Sequence, residues 1–131
     1  MLDGRMLPHE WIRTAAGFRK VDAVDHGDDH FYPGPQDIAW DVAATCVEFD
    51  LSATLRGAFL EEYGRASGDR TVARRLPGFA VAYLAFRLGY AWLAGEQLGP
   101  SPDGARFRAA AAAYRARLAR ELATGTTSWT T

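Results

Sequence analysis

Carboxylates and imidazoles gather in one stretch of this chain, Lys20 to Ala43, KVDAVDHGDDHFYPGPQDIAWDVA. Val21 leads into Asp22, an acidic loop containing His26 and His30 follows, and Pro33, Gly34 and Pro35 precede a helix start at Asp37. Carboxylates crowded at a strand end serve a cation or a proton. Asp22, joined by a second aspartate at Asp3, offers the hard oxygens that suit a magnesium ion in phosphoryl transfer, where one aspartate orients the attacking hydroxyl. His26 and His30, with Asp22 or Asp25, are a possible donor set for zinc. They share one face only if the segment is helical, and Gly27 and Pro33 favour a loop. The plain alternative makes Asp25, Asp28 and Asp29 solvated loop charges and Asp37 a helix cap.

A hairpin must bring Asp3 and Asp22 together. His9 to Thr14 has the aromatic and β-branched content of a strand, residues 15–17 can turn, and Phe18 to Ala23 reads as the return strand. If Asp3 just precedes the outgoing strand, the return strand delivers Asp22 to the same end. A helix over Asp37–Phe49 follows, with Ile38, Val42, Cys46 and Phe49 as its buried stripe. Ser52 starts a second helix to Ala66, with Leu55, Phe59, Leu60 and Tyr63 on one side. Asp69 caps a short helical turn to Leu76, Pro77 and Gly78 interrupt it, and a long apolar helix runs on to Leu98. The last helix, Asp103 to Ala123, carries Phe107, Ala111, Tyr114, Leu118 and Leu122 on one face and arginines around the rest. Thr124 to Thr131 reads as a frayed tail anchored by Trp129.

These elements make a mostly α protein of one domain: a hairpin and metal loop over residues 1–36, a helical body over 37–123 and a tail over 124–131. A formal net charge of -1 gives no general pull towards nucleic acid or anionic lipid. Cys46 is the only cysteine, which excludes an internal disulfide and fits a reducing cytoplasm. The apolar run Gly78–Gly95 is shorter than the roughly 20 residues of a membrane span. Arg87 near its centre would cost about 2.5 to 3.5 kcal/mol on insertion scales. A buried core helix is therefore expected.

The order of these features resembles the catalytic half of the aminoglycoside phosphotransferases and related small-molecule kinases, whose fold is similar to the protein kinases. In that family a catalytic-loop aspartate precedes a metal-binding asparagine. A short hairpin then leads to a metal-binding aspartate, and a Gly-Asp-Pro-like turn enters a helix beginning Asp-Leu-Ala. Asp3 matches the catalytic base, Asp22 the strand-end metal ligand, and Gly34-Pro35-Gln36-Asp37-Ile38-Ala39 the start of the helix. Asp41, in Trp40-Asp41-Val42-Ala43, offers a second register for that helix motif. Pro8 stands where the asparagine is expected, leaving His9 as the nearest potential ligand, and Met1-Leu2 replace the His-Gly that usually precedes the base.

The resemblance implies magnesium and ATP as cofactors and the hydroxyl of a small-molecule alcohol as acceptor. It also implies a nucleotide-binding lobe or partner chain beyond this chain, since no Gly-rich phosphate loop occurs here and Lys20 is the single lysine. Glu48, Asp50, Glu61 and Glu62 are candidates to meet a cationic acceptor, or ordinary helix surface. A helical binding module descended from a kinase, without catalysis, fits the same residues.

Overall fold

A computed structural model describes residues 4, 6–21 and 37–124. They form a 3-10 turn at Pro8–Glu10, strands β1 (Trp11–Thr14) and β2 (Gly17–Lys20), and helices α1 (Ala39–Glu48), α2 (Ala53–Ser67), α3 (Val72–Gln97) and α4 (Pro102–Thr124). The fold is mostly helical, with one short antiparallel hairpin near the N-terminus. The chain divides into two compact units, Met1–Leu76 and Pro77–Thr131.

In the first unit the hairpin closes through a tight turn. Thr14 pairs with Gly17, the Thr14 hydroxyl donates to the Gly17 carbonyl at 2.7 Å, and it accepts from the Ala16 amide at 3.2 Å. Gly17 sits at φ 106°, a conformation that side chains resist, so glycine sets where the chain reverses. Strand β1 is shorter than the sequence suggests at its outer end. Pro8, lacking an N–H, starts a 3-10 turn that takes up His9 and Glu10, so β1 begins only at Trp11. The expected continuation of β2 into Asp22 and Ala23 lies outside the described residues, although the Val21 amide still reaches the Glu10 carbonyl at 2.9 Å.

Helix α1 is buried almost all round: residues 39–44, Cys46 and Val47 are all covered. Its expected stripe is therefore too narrow, and Phe49 at its end is 39% exposed. Helix α2 is held by its caps. The Ser52 hydroxyl accepts from the Leu55 amide at 3.3 Å, and Gly68 ends the helix in the left-handed conformation. Its apolar side is largely uncovered, for Leu55 is 59% exposed and Arg56 is its one buried residue.

Helix α3 corrects the expected break at Pro77, because a single helix runs through it. Pro77 is only the sixth residue of that helix, so the missing N–H removes one internal bond close to an end whose first amides have no helical partner. Leu76, Pro77 and Ala80 are all buried there, which offsets the loss. The buried residues of α3, among them Val72, Leu76, Ala80, Tyr83, Leu84 and Ala91, form a stripe and do not surround it, while Trp92 is 57% exposed. By length and composition α3 is apolar enough to cross a membrane, with 28% of its most apolar window buried.

In the second unit, the α3 part and α4 meet through small residues and two arginines. A Cβ on Gly104 would lie 2.2 Å from the Gly99 carbonyl oxygen, so only glycine permits this backbone approach. Arg108 Nη1 donates to the carbonyls of Gly95 at 3.1 Å and Gly99 at 2.6 Å, satisfying groups at the end of α3. Arg87 Nε donates to the Tyr114 hydroxyl at 3.2 Å, and its guanidinium lies 5.3 Å from the Tyr114 ring centroid and 5.6 Å from that of Tyr90.

Candidate functional site

The described part of the site begins at Gly4, which is buried at φ 79°. Two consecutive residues at the start of α1 hold it. Asp41 Oδ1 accepts from the Gly4 amide at 2.9 Å, and Trp40 Nε1 donates to the Gly4 carbonyl at 3.4 Å. Asp41 is 3% exposed, so its carboxylate acts from inside the protein, and both residues lie in the first turn of α1. The Asp41 carbonyl also accepts from the Thr45 hydroxyl at 2.9 Å. Gly4 is thus held at both its amide and its carbonyl, in a conformation that favours glycine.

A second anchor lies where the chain enters α1. Asp37 Oδ1 accepts from the Ala39 amide at 2.9 Å and from Arg75 Nη2 at 3.0 Å. The helix begins two residues later than expected, because Ile38 already has helical angles and takes the cap position without a side-chain bond. The Asp37 carboxylate still satisfies a first-turn amide, so the structural role read from sequence is present one residue out. Arg75 Nη2 also reaches Asp69 Oδ2 at 2.7 Å, and Asp69 Oδ1 accepts from the amide and hydroxyl of Thr71. Arg75 Nε lies 2.7 Å from Asp37 Oδ2, near enough for ion pairing but poorly aligned for a hydrogen bond. The amide of Ala39, then Arg75, holds Asp37 below the ordinary carboxyl value of 3.8. Arg75, then Thr71, holds Asp69 far below it, and the two carboxylates together push Arg75 up.

The third feature is a buried ion pair under the hairpin. Lys20 Nζ lies 3.3 Å from Glu10 Oε2, with the two side chains 9% and 6% exposed. The chain's one lysine is therefore engaged in holding the 3-10 turn to β2.

Of the residues expected to do chemistry, Asp3 and Asp22 lie outside the described residues, as do Asp25, His26, Asp28, Asp29, His30 and the Gly34-Pro35-Gln36 turn. His9 is exposed on the 3-10 turn. Among the described residues no three His, Cys, Asp or Glu side chains are grouped to hold a metal ion. Glu62 is exposed and pairs with Arg65, Glu61 and Asp50 are exposed, and Glu48 is half-buried. None of the four lines the apolar cavity of the first unit. That cavity, about 520 Å³, is walled by Met6, Trp11 and Phe18 on the hairpin side and by Val42, Leu55 and Phe59 on the helices. Asp41 also lines it, and the Trp11 indole N–H is buried without an acceptor among the described residues. Trp11 also meets Phe49 edge to face, with ring centroids 6.5 Å apart.

Sequence reasoning missed three of these contacts: the grip on Gly4, the Arg75 bridge and the Glu10–Lys20 pair. For the first there is a signal, since Asp41 offers a second register of the helix motif. For the pair there was only the rarity of lysine. The Arg75 bridge joins residues 38 positions apart and left no local mark. No protein-family model, curated protein or solved structure matches this chain.

Proposed function

We propose that this chain is the C-terminal catalytic-lobe portion of an ATP-dependent phosphotransferase that acts on the hydroxyl of a small molecule. The observation that supports this most is the buried bond from Asp41 to the Gly4 amide, with Trp40 on the Gly4 carbonyl. A general base must be held within hydrogen-bond reach of its proton, and the proposal takes the fixed backbone of Gly4, the next residue in sequence, as the support for that role. In the proposed reaction Asp3 accepts the proton of the acceptor hydroxyl as its oxygen bonds to the γ-phosphorus of ATP, and the bond from that phosphorus to the bridging oxygen of ADP breaks. Magnesium would neutralise charge on the transferring group, and its proposed ligands are Asp22 and His9. Of these His9 is described, and it is open to solutes.

The proposal assigns nucleotide binding to a lobe or partner chain outside these 131 residues, a reading supported by the engagement of Lys20 with Glu10. The reading places the protein in the cytoplasm, where ATP is available, with no nucleic acid or membrane as partner. The purified chain alone is expected to turn over nothing; magnesium-dependent phosphorylation of any alcohol by it would overturn this. In a protein that joins this chain to its nucleotide-binding lobe, Asp3→Asn and Asp22→Asn are each expected to abolish transfer. Unchanged activity in either variant would remove the assignment. The open apolar cavity favours one other reading, a non-catalytic helical binding module. That module would retain its partner when both aspartates are replaced.

A further inference from the structure

We draw no further inference here: the strongest candidate, the open apolar cavity between the hairpin, α1 and α2 of the first unit, carries nothing because nothing in the structure shows what covers it.

Discussion

At the scale of single residues, the polar groups that matter are buried ones whose partners are far away in sequence. Asp41 and Gly4 are 37 positions apart, and their bond leaves no free donor on a buried glycine. Removing the carboxylate strands that amide. Asp41→Ala is expected to lower unfolding free energy by about 1 to 3 kcal/mol, and Asp41→Asn, which keeps an acceptor oxygen, by less. Urea titration of the purified chain measures both, and equal losses in the two variants would show that the amide is not what Asp41 serves. The Glu10–Lys20 pair makes a stronger case, because a lone charge left in its place has little access to water. Glu10→Ala should cost about 3 to 5 kcal/mol, while replacing both residues with apolar side chains of similar size should cost much less. A double variant no more stable than the single one would contradict that account.

Among the secondary-structure elements, glycines in helices separate propensity from packing. Gly57 lies inside α2, and an added Cβ would meet nothing within 4 Å. Gly57→Ala should therefore raise stability by about 0.5 to 1 kcal/mol through reduced backbone freedom in the unfolded chain. Gly104, in the first turn of α4, has the opposite expectation: its Cβ would collide with the Gly99 carbonyl, and Gly104→Ala should destabilise by about 1 to 3 kcal/mol. Thermal melts of the two variants should move in opposite directions. Helix existence was legible from the periodicity of apolar residues, and the spans of α2 and α4 agree with it to within a residue or two. Pro77 and the covering of α1 were not legible. Whether a proline ends a helix depends on how close it lies to a helix end and on what its ring packs against, neither of which is local information.

For the molecule as a whole, Arg75 links the entry of α1 to the link between α2 and α3, and this makes stability depend on acid. Asp37 and Asp69 are both held below 3.8 when folded, so the unfolded chain takes up protons more readily than the folded one. Their contribution is complete above the ordinary carboxyl value and is lost as pH falls through it towards the lower folded values. Stability should accordingly decline as pH drops from about 5 towards 2, and Arg75→Gln should flatten that decline. Denaturation midpoints across this range test it, and an unchanged slope in Arg75→Gln would assign the acid sensitivity to other groups. The bridge is one-third exposed, so the effect should also shrink with added salt.

The amino-acid sequence by itself determined the fold class, because the hydrophobic period of α1, α2 and α4, the apolar run of α3 and the Thr14–Gly17 turn are local properties. It also determined that Asp37 would serve the start of a helix, since a carboxylate before a first turn finds free amides wherever the helix leads. Tertiary structure decided which of two neighbouring aspartates goes inside. Asp37 stays at a partly exposed ion pair, whereas Asp41, four residues on in a helix covered almost all round, meets the backbone beside Asp3. It decided likewise that Leu55 and Phe59 would face a cavity and that Lys20 would be spent on Glu10. These outcomes depend on which distant segments arrive at a given face, and no residue carries that information in its neighbours.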